Sequence, residues 1–187
     1  MTEAVPISLP RQRGLSLIEL LVFIVVVGIA VTGVVSVYSL NARTSADPLM
    51  RKQAVAIAES LLEEVLANHF TYCDPDDANA ETAINAAGCA TTAEAIGPEA
   101  GETRYDNLAP FDNVNDYHGF SMTGIRDITD TAVDGLNAYT AAIQVQSAGS
   151  FNGIPADETL LVTVTVTAPG NPGVILSGTR TRYAPNL

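Results

Sequence analysis

The chain has 187 residues, 47% of them hydrophobic and only 16% charged, which is too apolar and too sparsely charged for a disordered tail. Nine Lys and Arg against 21 Asp and Glu give a net charge of −12, and the basic residues do not cluster, so nucleic acid is excluded as a partner. The length suits one ordinary domain plus an anchor.

Residues 1–14 read as a short polar leader carrying Arg11 and Arg13, the pattern of a cytoplasmic flank. From Leu20 to Ala42 no residue is charged. A bilayer core about 30 Å thick needs roughly 20 apolar helical residues, so a transmembrane helix is expected over 15–42. Arg43, Arg51 and Lys52 follow it, so basic residues flank the run on both sides and do not fix its orientation. A secretory signal peptide would have a shorter apolar region with a small-x-small cleavage site directly after it. Glu19 stands at the start of the run, where a carboxylate costs less than the ~2.5–3.5 kcal/mol of a helix centre but still calls for a partner.

The string Arg13-Gly14-Leu15-Ser16-Leu17-Ile18-Glu19, followed directly by the apolar run, resembles the class III signal of type IV pilins and pseudopilins. The resemblance implies that prepilin peptidase cuts after Gly14 and N-methylates Leu15, and that Glu19 serves filament assembly. Leu15 departs from the usual Phe of that family. Cleavage would create a positive amine at Leu15, and Glu19 lies one helical turn further on. An amine from a neighbouring subunit would offset the cost of burying the carboxylate. Four later segments resemble MshD-type minor pilins of the MSHA (mannose-sensitive haemagglutinin) pilus system: Ser45–Pro48, Leu62–Ala67, Phe111–Phe120 and Thr179–Tyr183. The partners so implied are the peptidase, other major and minor pilins, the inner-membrane assembly platform and the lipid bilayer. The implied location is the inner membrane, single-pass, with residues 43–187 a periplasmic pilin-like domain.

Asp47-Pro48 reads as a helix restart after a kink or short break, since Asp caps and Pro suits the first helical position. Over 48–69 the positions Ala54, Ile57, Ala58, Leu61, Leu62, Val65 and Leu66 recur at helical spacing, with Glu59, Glu63 and Glu64 mostly off that stripe. Residues 70–136 show little periodicity and read as loop. They hold both cysteines, Cys73 and Cys89, and a disulfide between them would contribute ~3 kcal/mol in an oxidising compartment. His69 and His118 lack finger-like spacing to them, so no metal site is expected there. The strings Asp74-Pro75-Asp76-Asp77 and Asp112-Asn113-Val114-Asn115-Asp116 suggest calcium by composition. Position 78 is Ala and the central Gly of an EF-hand is missing, so solvated acidic loops are the better reading. Tyr117–Phe120 is expected to fix a loop against a sheet.

From 137 to 184 the period changes to two. Tyr139, Ala141, Ile143 and Val145 alternate with polar or small residues; Val162, Val164 and Val166 alternate with threonines. A turn is expected at 168–173, and a third run begins at Val174. The expected fold is α+β: a long N-terminal helix, half transmembrane and half amphipathic, packed on an antiparallel sheet. No Ser/His/Asp set, usefully spaced Cys/His pair, phosphate loop or metal cluster is present, so no catalytic residue, enzyme activity or cofactor is expected. The sequence therefore reads as a structural minor pilin. The alternatives are a minor pseudopilin of a type II secretion system and, further off, a membrane-anchored periplasmic enzyme or ligand-binding domain. The resemblance sets Glu19 against a tip pseudopilin, which typically lacks that Glu.

Overall fold

The computed structural model describes residues 14, 16–170 and 173–182, with residues 40–47 as helical backbone only. Helix α1 covers Leu17–Ala67. Four strands follow: β1 Ser121–Thr123, β2 Thr140–Ser147, β3 Thr159–Thr167 and β4 Val174–Thr181. They form one antiparallel meander in the order β1-β2-β3-β4. The chain divides into two compact units, Met1–Ala46 and Asp47–Leu187.

The first unit is helical from Leu17. Leu20 N donates to Ser16 O at 3.1 Å, closing the first turn. The segment Leu17–Ser39 is 23 residues long with a mean hydropathy of 2.9, and its side chains are exposed. Two of its hydroxyls bond its own backbone: Thr32 Oγ1 donates to Gly28 O at 2.8 Å, and Ser36 Oγ to Thr32 O at 2.9 Å. Both hydroxyls are thereby satisfied within the helix, as an apolar surrounding favours.

In the second unit the stripe on α1 meets the sheet. Ala54, Ala58 and Val65 are buried completely or nearly so, and the two alanines let the helix approach closely. Opposite lie Ile143, Val145, Val162, Val164 and Val166, all at 0% exposure. Register explains this face, because Ala141, Ile143 and Val145 pair with Val166, Val164 and Val162 across β2 and β3. Gly178 on β4 sits opposite Val162 and leaves room for Leu62 and Leu66 of the helix. The outer face is hydroxyl-rich, and Thr140 pairs with Thr167 and Thr163 with Ser177 there.

Four expectations need correction. The helix runs through Pro48 without a break. The ring there removes one N–H donor and crowds the carbonyl four residues earlier, a cost of about 3 kcal/mol that the continuous helix absorbs. Residues 70–136 are not all loop, since β1 pairs with β2 and a one-turn 3₁₀ helix forms at Val114–Tyr117. Glu64 turns inward rather than lying off the stripe. Asp77 and Asp116 are buried rather than solvated. Of the turn expected at 168–173, Asn171 and Pro172 lie outside the described residues.

Candidate functional site

Two regions carry chemistry: the start of α1 and the folded loops of the second unit. Gly14 is exposed, and a Cβ built on it would meet no heavy atom within 4 Å among the described residues. Nothing in the described fold demands glycine at that position. Glu19 is exposed in the first turn of α1. Leu15, the expected methylation position, and most of the 1–14 leader lie outside the described residues.

Cys73 and Cys89 are joined, with Cα atoms 5.5 Å apart. With both thiols in that bond, neither can ligate zinc beside His69. Inside the same loop Asp77 acts as a hub. Its carboxylate accepts from Asn79 N, Ala90 N, Thr91 N, Thr91 Oγ1 and Thr92 N at 2.6–2.9 Å. Those donors, led by the Thr92 and Ala90 amides, hold the carboxyl well below its ordinary range.

The loop at 111–120 is tied to both helix and sheet. Val114 N donates to His69 O at 2.9 Å, and Asn113 Nδ2 to Thr71 Oγ1 at 2.9 Å. His118 Nδ1 donates to Val145 O on β2 at 2.6 Å, which spends the imidazole on anchoring. Phe111, Tyr117 and Phe120 pack edge-on with centroids 5.1–6.4 Å apart. Beneath them Arg104, 7% exposed, clamps Glu64 of α1: Nε reaches Oε1 at 2.6 Å and a terminal nitrogen reaches Oε2 at 2.7 Å. The same guanidinium donates to the carbonyls of Arg126 and Asp127, and Tyr117 OH donates to Glu64 Oε1 at 3.0 Å. This cluster fastens α1 to the loops, and it holds the Glu64 carboxylate in an ion pair with Arg104.

A second set of charged side chains is of one sign. Glu94, Glu99 and Asp116 each offer a carboxylate oxygen within 4.8 Å of the other two, and so do Asp74, Glu99 and Glu102, and Asp74, Asp76 and Asp112. The ion pairs among the described residues, Arg104–Glu64 and Arg126–Asp130, neutralise none of them. Burial, with Asp116 next in weight, pushes the Asp112 carboxyl up to about 7. Burial, then Glu99, pushes Glu102 up to about 6. Half-buried Glu94 and fully buried Asp116 face each other, and burial raises the affinity of both for protons.

With this geometry in place, comparison with known proteins bears on the N-terminal segment. The family described as the prokaryotic N-terminal methylation motif matches residues 9–35, a span that includes Gly14, Leu15 and Glu19. This class III signal supports a type IV pilin or pseudopilin. The long apolar helix followed by a four-stranded antiparallel sheet is accordingly α+β and pilin-like. The motif implies processing by prepilin peptidase and assembly with other pilins. Comparison with the curated proteins and with the solved structures yields no match.

Proposed function

We propose that the chain is a minor type IV pilin of the MSHA, MshD-like kind, cut by prepilin peptidase after Gly14 and methylated at Leu15, which takes part in initiating or modifying a pilus. It crosses the inner membrane once with 15–42 and carries 43–187 as its periplasmic domain, meeting other pilins and the inner-membrane assembly platform. The observation that carries this reading is a carboxylate, Glu19, in the first turn of an otherwise uncharged 23-residue span directly after the cleavage motif. A glycine at 14 that the described fold does not need supports a demand from outside, namely close approach by the peptidase. The likeness of Phe111–Phe120 to MSHA minor pilins favours a pilus over a type II secretion machine, whose pseudopilins share the N-terminal motif.

Glu19 tests the assembly role. Glu19→Ala and Glu19→Gln remove the anion while leaving the span at least as apolar, so insertion and leader cleavage should persist. Recovery in sheared filaments, and crosslinking to partner pilins, should fall several-fold for both. If both variants insert, are cut and enter filaments at wild-type levels, Glu19 is an interfacial residue with no role in assembly.

A further inference from the structure

The acidic cluster is more than a solvated face, because part of it is sealed. Asp116 is 1% exposed. Its Oδ2 accepts the amides of Asn113 at 2.6 Å and Asp112 at 3.0 Å, which caps the short helix. Asp116 Oδ1 has no hydrogen-bond donor, and neither has the buried Glu94 Oε2. Asn115, 3% exposed, donates through Nδ2 to Glu94 Oε1 and to the carbonyl of Ala95, and its own Oδ1 is also left without a donor. Three acceptor oxygens on consecutive or facing side chains are thus buried with nothing to accept from. Leaving such groups unpaired costs on the order of 1–3 kcal/mol each, more when charged.

We infer that Glu94, Glu99 and Asp116 form a calcium site. The donor set is entirely oxygen, which selects a hard cation. Calcium binds oxygens at about 2.3–2.6 Å, so two of its ligands stand at most about 5 Å apart. The three carboxylate oxygens lie within 4.8 Å of one another, so a point among them is at most about 2.8 Å from each, and a small side-chain shift brings all three to calcium distance. Magnesium, at about 2.0–2.1 Å with strict octahedral demands and tightly held water, suits this buried and asymmetric set less well. Glu99 also belongs to the trio with Asp74 and Glu102, so the adjoining negative charge draws a divalent cation inward.

The full-length protein in detergent micelles, stripped with EGTA, provides the test. Calcium chloride is titrated by calorimetry, alongside thermal unfolding with calcium or with EGTA. One ion should bind with a dissociation constant of about 0.1–1 mM, the range of extracellular sites, with a raised midpoint. Magnesium at equal concentration should shift the midpoint far less. Asp116→Asn should weaken calcium binding at least tenfold but also loosens a helix cap. Glu99→Gln, a half-buried position with no such duty, should weaken it about tenfold while the circular dichroism spectrum stays unchanged. Equal midpoints in calcium and EGTA would overturn the assignment. So would a Glu99→Gln protein that binds calcium as tightly as the wild type.

Discussion

The clamp between Glu64 and Arg104 is the sharpest single test of how α1 is held by the loops. In Glu64→Leu the guanidinium, its side chain 3% exposed, loses two charge-assisted bonds of 2.6 and 2.7 Å and retains only the carbonyls of Arg126 and Asp127. Breaking a buried ion pair from one side costs about 3–5 kcal/mol. The two surviving carbonyl bonds place this case near the lower bound, and Tyr117 OH also loses its acceptor. A loss of about 3 kcal/mol lowers the melting midpoint of a domain this size by about 10 °C. Arg104→Met should cost less, because Glu64 at 22% side-chain exposure can rehydrate and keeps the tyrosine. The double variant Glu64→Leu, Arg104→Met replaces the pair by two apolar side chains and should recover most of the loss, since such replacements are often neutral. The chain has no Trp and six Tyr, so near-ultraviolet tyrosine dichroism of the full-length protein in micelles follows tertiary unfolding directly. Single-variant shifts under about 2 °C, or a double variant no better than the worse single one, would refute the reasoning.

Two further outcomes follow from packing and charge. Gly178→Ala puts a Cβ 2.8 Å from Leu66 Cδ1 and 3.3 Å from Leu62 Cδ1, so it should cost about 1 kcal/mol in thermal unfolding, and Leu66→Val should relieve it; a stabilised Gly178→Ala protein would mean the helix does not pack there. In EGTA, carboxyls whose folded pKa lies above the unfolded value (Glu94, Asp116, Glu102 at about 6 and Asp112 at about 7) make the folded state bind more protons than the unfolded one. Stability is then highest on the acid side of that window and falls as pH rises from about 5 to about 8, by at most about 1.4 kcal/mol per unit per group. Asp77 and Asp127 are shifted down and act oppositely, losing their contribution only below about pH 4. A melting midpoint that climbs from about pH 5 to about pH 8 without divalent ions would contradict the burial of these carboxyls.

Local periodicity made some elements readable and distance in sequence hid others. The stripe from Ala54 to Leu66 and the alternation in β2 and β3 each repeat over several turns or residue pairs, so one buried face could be read directly. Strand β1 spans three residues between Gly119 and Gly124 and shows no period; it exists because Met122 pairs with Ala141 on a neighbour already in place. Asp47-Pro48 reads as a restart because Asp caps and Pro suits a first turn, whereas the helix continues through it. Glu64 looked like an outer-face residue because its partner, Arg104, is forty positions away. The carboxyl cluster was hidden for the same reason: Glu94 and Asp116 come from different loops, brought together by the tie between His69 and Asn113 and by the bond of Asn115 to Glu94. The N-terminal motif was readable because its residues act at fixed spacing along a single segment and need no tertiary contact to be recognised.

Processing at the N-terminus is the claim on which the proposed function depends, and intact-mass and N-terminal fragment spectra of the protein taken from membranes of cells containing prepilin peptidase test it directly. The expected species begins at Leu15 and carries one additional methyl group, and Gly14→Val retains the leader. A membrane form that begins at Met1 in those cells would contradict the pilin account.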